Sequence, residues 1–260
     1  MSLPPPPIVG VIHLPALPGS PRACLPLDAI VASALRDAHA YVAGGASAVI
    51  VENFHDVPFR RERVEPEVIA AMTLAVRAVR ESVALPVGVN VLRNDAGAAL
   101  AIAALTGAGF IRVNIHSGTL VTDQGIIQTR AEDTLRQRRM LGAERVAIWA
   151  DVLVKHAAPL GPIRIEDAAD DLIQRELADA LIVTGRATGQ PADPEELARL
   201  RAAFPAIPIY VGSGVTAGTV RPYIPAASGF IVGTWVKEGG RIERPVDPAR
   251  VAQLVAAARG

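Results

Sequence analysis

Short apolar runs alternate with Ala-rich amphipathic stretches eight times along this chain. The runs occupy 8–12, 48–51, 86–91, 110–115, 146–152, 180–183, 208–211 and 229–232. The amphipathic stretches occupy 28–44, 66–83, 95–107, 129–142, 166–178, 193–203, 216–225 and 247–259. Runs this short suit buried strands. The longer stretches open near Asp28, Pro66, Asp95, Thr129 and Asp193-Pro194 and several close on glycine, at Gly44-Gly45, Gly107 and Gly142, as helices do. Strands separated by helices call for a parallel sheet covered by those helices. Eight such units in 260 residues predict a single α/β domain, a (β/α)8 barrel over 8–260, with an extended proline-rich arm at 1–7. A doubly wound open sheet is the runner-up. It ordinarily places Gly-x-Gly-x-x-Gly after its first strand, whereas this first strand runs into HLPALPG. Neither a nicotinamide nor a flavin is therefore expected.

Composition narrows the function classes. The 26 basic side chains balance 26 acidic ones, which argues against nucleic-acid binding driven by the phosphate backbone. No apolar run reaches the ~18 residues of a membrane span. The opening Met1-Ser-Leu and its four prolines lack the regions of a signal peptide. With a single cysteine, Cys24, which reads as structural, a cytoplasmic location is expected. Of the basic residues 24 are Arg, and only Lys155 and Lys237 are Lys.

In such a barrel, chemistry collects where strands end. The fourth run, FIRVNIH at 110–116, alternates so that Ile111, Val113 and Ile115 face the helices while Arg112, Asn114 and His116 face the interior. His13 ends the first run, Glu52 the second, Asn90 (then Arg93-Asn94-Asp95) the third and Asp151 the fifth. If the fifth run stays extended, Asp151 and Lys155 share a face. Such a pair holds an ammonium charged, binds an anion or hydroxyl, works as acid and base, or leaves the lysine to form a Schiff base. Lys237 follows the last run with less force, because Glu238-Gly-Gly looks like an exposed turn. Thr184-Gly185, Gly212-Ser213-Gly214 and Gly233-Thr234 end the last three runs. Glycines admit close backbone approach and hydroxyls add donors, as a phosphate site after the seventh and eighth strands needs. Glu52, Asp56, Asp95 and Asp151, with Asn114, are candidates to gather round a divalent cation. Glu52 and Asp151 are the first choices.

Several segments together resemble the BtpA/SgcQ family: VGVIHLPALPGSP at 9–21, VENFHDVPF at 51–59, PVGVNVLRND at 86–95, FIRVN at 110–114, TDQG at 122–125, ADVLVKH at 150–156 and VGSGV at 211–215. The resemblance runs from about residue 8 to residue 250 and departs at Ala16, where a second proline would be usual. Trp149 and the Arg-rich stretch 136–139 look specific to this lineage. The resemblance implies a barrel similar to phosphate-binding TIM barrels. It brings one association with photosystem I biogenesis and another with sugar utilisation, but no agreed reaction.

The resulting expectation is an enzyme for a small phosphorylated sugar or nucleotide-like metabolite, working by isomerase, epimerase or lyase chemistry. Asp151 and Lys155 are its reacting pair, Glu52 a second carboxylate, and Arg112, Asn114 and His116 its orienting groups. His13, Asn90, Asn94 and Asp95 are expected to contact substrate. The rivals are a non-catalytic assembly or metabolite-binding barrel and a metal-dependent phosphohydrolase. A homo-oligomer is plausible, since barrels commonly associate.

Overall fold

The computed structural model describes residues 6–185 and 189–260. Eight parallel strands close into a barrel: β1 (Ile8–His13), β2 (Ala48–Glu52), β3 (Val87–Asn90), β4 (Phe110–Val113), β7 (Ala147–Val152), β9 (Ala180–Val183), β10 (Ile209–Val211) and β11 (Gly229–Val232). Helices α1 (Leu27–Ala43), α2 (Pro66–Ser82), α3 (Ala96–Thr106), α4 (Ala131–Met140), α5 (Ile165–Asp170), α6 (Pro194–Ala203) and α7 (Pro248–Arg259) wrap the outside. Residues 1–5 of the expected arm lie outside the described residues. Pro7 already belongs to the barrel, its carbonyl accepting the N–H of Phe230 at 2.9 Å.

The interior is a packed layer, not a pore. Val9, Val11, Ile50, Phe110, Trp149, Ile182, Tyr210 and Ile231 fill it. Trp149 is stacked between Phe110 and Tyr210, with ring centroids 4.1 and 4.2 Å away. In a chain so poor in aromatics, Trp149 is thus the centre of the barrel plug. Gly88 makes room for it, since a Cβ there would lie 2.3 Å from the Phe110 ring.

The structure departs from the sequence expectations in three places. The long connections after β4 and β7 fold into a small antiparallel sheet of β5 (Thr119–Thr122), β6 (Gly125–Gln128) and β8 (Ala157–Pro159), in the order β6-β5-β8. The helix expected at 216–225 is only a 3-10 turn, Arg221–Tyr223, and the one expected at 166–178 is α5 running into a π-helical turn, Asp171–Arg175. Cys24 is exposed, so it is not a buried structural residue.

Candidate active site

Alternation along the strands decides what stands above the aromatic plug. The next inward positions are His13, Glu52, Asn90, Arg112 and then Asn114, Asp151, Thr184, Gly212 and Gly233. The register places Glu52 directly between His13 and Asn90. The strands therefore deliver the expected polar ring, and the connections then add to it or subtract from it.

Arg112 and Asp151 form a fully buried ion pair. Nε donates to Oδ2 at 3.0 Å, Nη2 to Oδ1 at 2.9 Å, and Asn114 Nδ2 adds a bond to Oδ2 at 2.9 Å. Burial alone would lower the Arg112 pKa, but Asp151 outweighs it and holds the guanidinium charged. Both Asp151 oxygens are thereby committed. The chain also turns at Leu153, whose φ is 49°, so the fifth run does not stay extended and Asp151 is not the partner of Lys155.

Lys155 instead reaches the mouth of the barrel with its ammonium free of any hydrogen bond or ion pair among the described residues. Its backbone is held, the N–H by Thr184 Oγ1 at 3.1 Å and the carbonyl by Arg93 Nη2 at 2.7 Å. Burial, reinforced by the charge of Arg112 and opposed by Glu52 and Asp151, lowers its pKa to about 8. Glu52 accepts one bond, from Asn90 Nδ2 to Oε2 at 2.7 Å. It is the carboxylate that stands with Lys155 on the cavity walls.

Two lobes of a cleft meet at Glu52, Phe54, Arg112 and Lys155. The smaller, about 200 Å³, is lined by 212–216, Gly233, Thr234 and His13. None of the backbone N–H groups of Gly214, Val215, Gly233 and Thr234 donates a hydrogen bond among the described residues. The glycines themselves are required by the protein's own packing. A Cβ at Gly185 or Gly214 would meet the backbone of residues 190–191 at 2.4 Å, one at Gly212 would meet Ile182 at 2.6 Å, and one at Gly233 would meet His13 at 2.6 Å. Ser213 spends its hydroxyl internally, accepting from Gly185 N and donating to Gln190 O. The Thr234 hydroxyl, on the wall of the same lobe, has no hydrogen-bond partner among the described residues. The larger lobe, about 500 Å³, adds Val57, Phe59, Leu92, Arg93, Asn114, Asp123 and His156.

Unpaired polar atoms mark the same place. Among the described residues, five buried side-chain nitrogens or oxygens have no hydrogen-bond partner, and three of them, His13 Nδ1, Arg93 Nε and Asn114 Oδ1, belong to the walls of this cleft. His13 is held well below its ordinary pKa, first by burial and then by Lys237, so its imidazole is neutral at pH 7.

Other expected site residues leave the centre. Once the chain enters the hairpin, alternation stops at Asn114: Ile115 packs with Leu120, Ile127 and Val154 under the small sheet, and His116 turns outward to the carbonyl of Glu176 at 2.9 Å. Asn94 is a latch, bonding both the N–H and the carbonyl of Ile115. Asp95 caps α3 through Ala98 N and accepts Val64 N. Asp56 is taken by Leu17 N and Asn53. The carboxylates expected to converge therefore do not, and among the described residues no group of three His, Cys, Asp or Glu side chains is placed to hold a metal ion. Lys237, expected in an exposed turn, is buried against Asp37 at 2.7 Å. Arg93 and Phe54 were visible in the sequence only as neighbours of Asn94 and Asn53. Asp123 reaches the rim through a hairpin that no periodicity announced.

Similar proteins share this whole frame. The chain is 47% identical over 251 residues to the Photosystem I biogenesis protein BtpA of Synechocystis, covering 96% of this chain and 87% of that one. It is 45% identical to an uncharacterized protein of Pyrococcus furiosus, covering 96% and 93%. Among solved structures, N-(5'-phosphoribosyl)anthranilate isomerase from Pyrococcus furiosus superposes with a TM-score of 0.60 at 16% identity, over 97% of this chain and 98% of that one, a likeness of fold alone. Residues 5–260 match the BtpA family throughout. No helix of the described chain is long and apolar enough to cross a membrane. With its sequence matched from end to end and its barrel closed as the family resemblance implied, the chain belongs to the BtpA family.

Proposed function

We propose that this barrel is an enzyme acting on a small phosphorylated sugar or nucleotide-like substrate by isomerase, epimerase or lyase chemistry. The observation that carries the reading is the Lys155 amine. It is unpaired, has a pKa of about 8, and sits at the junction of a lobe lined by free N–H donors and a second, roomier lobe. In the smaller lobe the N–H groups of Gly214, Val215, Gly233 and Thr234 grip the phosphate. Lys155 then reaches the carbon chain, either abstracting a proton beside a carbonyl or condensing with the carbonyl as a Schiff base. Glu52 is the second proton carrier. Arg112 and Asn114 stabilise the oxygen on which charge develops, and Asp151 keeps both in place. The solved barrel of similar fold is named for a phosphoribosyl substrate, which accords with this assignment. The name of the Synechocystis relative points to assembly instead, yet a relative of nearly equal identity in Pyrococcus furiosus carries no such name.

Two measurements test this. Crystals soaked in inorganic phosphate are expected to show tetrahedral density on the N–H groups of Gly214, Val215, Gly233 and Thr234, and an empty lobe would defeat the reading. Gly214→Ala, which forces a side chain onto a φ of 69° against Pro191, is expected to abolish that binding. In D₂O, proton NMR of a panel of aldose and ketose phosphates is expected to show loss of a carbon-bound proton signal with one of them. Phosphate density without exchange or cleavage across the panel would make the protein a metabolite binder.

A further inference from the structure

We propose that the larger lobe holds a flat ring carrying an acceptor oxygen, so that the substrate joins such a ring to its phosphate-bearing part. This rests on the phosphate assignment above and says what lies at the other end of the same molecule. The smaller lobe and the junction already accommodate a phosphate and a short carbon chain. A bare sugar phosphate would leave the larger lobe, about 500 Å³, filled with water against an apolar wall.

That wall is Phe54, Val57, Phe59 and Leu92. Two phenyl rings and two branched side chains favour a flat, apolar-faced group, because stacking gains contact at little entropic cost. Arg93 supplies the polar end. It is 5% exposed, its Nη2 donates to the Lys155 carbonyl at 2.7 Å, its Nε is buried without a partner, and it forms no ion pair among the described residues. Burial lowers its pKa, and the exposed Asp123 stands only at the rim. A buried guanidinium with donors to spare calls for an acceptor in its plane. A ring carbonyl or carboxylate oxygen provides one, whereas an alkyl chain would leave Arg93 as it is. Because Phe54 and Lys155 line both lobes, the amine faces the carbons that link ring to phosphate-bearing part.

The experiment compares equilibrium binding of inorganic phosphate, ribose 5-phosphate, uridine, uridine 5'-monophosphate and adenosine 5'-monophosphate to the full-length protein. Uridine 5'-monophosphate, whose ring carries carbonyl oxygens, is expected to bind about tenfold or more tighter than ribose 5-phosphate, and adenosine 5'-monophosphate, whose ring carries none, is expected to gain less. Phe59→Ala is expected to erase that advantage while leaving ribose 5-phosphate affinity unchanged, and Arg93→Met, which also releases the Lys155 carbonyl, is expected to erase it as well. Equal affinities for ribose 5-phosphate and uridine 5'-monophosphate in the wild-type protein, or an advantage of adenosine 5'-monophosphate over uridine 5'-monophosphate, would overturn the proposal and leave the phosphate assignment standing, even if neither variant folds. An advantage that survives both substitutions would overturn it too. Uridine binding without any binding of phosphate or ribose 5-phosphate would defeat the phosphate assignment instead.

Discussion

Lys155→Met is expected to lower turnover, or proton exchange into solvent, by at least about 100-fold, the lower end of what a positioned proton-transfer group contributes. Chemistry on the wild-type protein checks the cause without knowing the substrate. An amine of pKa about 8 offers roughly 200-fold more free base at pH 7 than an ordinary lysine at about 10.4. Trinitrobenzenesulfonate should therefore modify Lys155 and, apart from the chain's α-amine and the exposed Cys24 thiol, nothing else, because Lys237 is 2% exposed and ion-paired. The rate should rise with pH and level off above about 8. Stability carries the same signature. A folded-state pKa below the unfolded one means the unfolded chain binds more protons between about pH 8 and 10.5, so stability rises with pH across that window. That rise should be missing in Lys155→Met. A labelling midpoint near 10.5, or equal reaction of both lysines, would remove Lys155 from the mechanism.

The contrast between the two lysines shows how far the sequence could be read. Their rarity singled out both, and strand counting put both at the barrel mouth. Composition says nothing about which acid stands beside which base. Asp37, in the middle of α1, is about 200 residues from Lys237, and no local pattern connects them. The polar ring was legible for a simpler reason: period-two alternation is imposed by the strand itself, so Glu52, Asn90, Arg112 and Asp151 had to point inward once the strands were placed. Alternation ends with the strand. His116 and Lys155 lie beyond β4 and β7, where the small sheet and the turn at Leu153 set directions that only tertiary structure fixes. The glycines were legible as close approaches but not as approaches of what. At Gly185 and Gly214 the approaching group is the chain's own segment 190–191, and the ligand's share falls to the N–H groups that remain.

Lys237→Met is expected to destabilise the fold by about 3–5 kcal/mol, because it strands the Asp37 carboxylate in a dry interior. For a chain of this size that lowers Tm by roughly 10 °C. Asp37 has little else to lean on. Its Oδ1 accepts Val246 N and the Arg36 guanidinium at 3.3 Å, and Arg36 is more than half exposed. Asp37→Leu combined with Lys237→Met should recover most of the loss, since a buried ion pair replaced by apolar groups of similar volume costs little. A double variant as unstable as the sum of the single ones would mean that the two charges do not act as a pair. The pair also ties α1 to the connection after β11. Lys237 N donates to Thr234 O, and Asp247 N, at the cap of α7, donates to Val236 O. The phosphate lobe is built on that connection, through Gly233 and Thr234. Phosphate affinity should therefore fall in Lys237→Met and return in the double variant. Lys155→Met, which removes an amine the fold holds at a cost, should leave Tm unchanged or raise it. Of the chain's two lysines, one then carries stability without chemistry and the other chemistry without stability, and melting and labelling curves of the two single variants separate them.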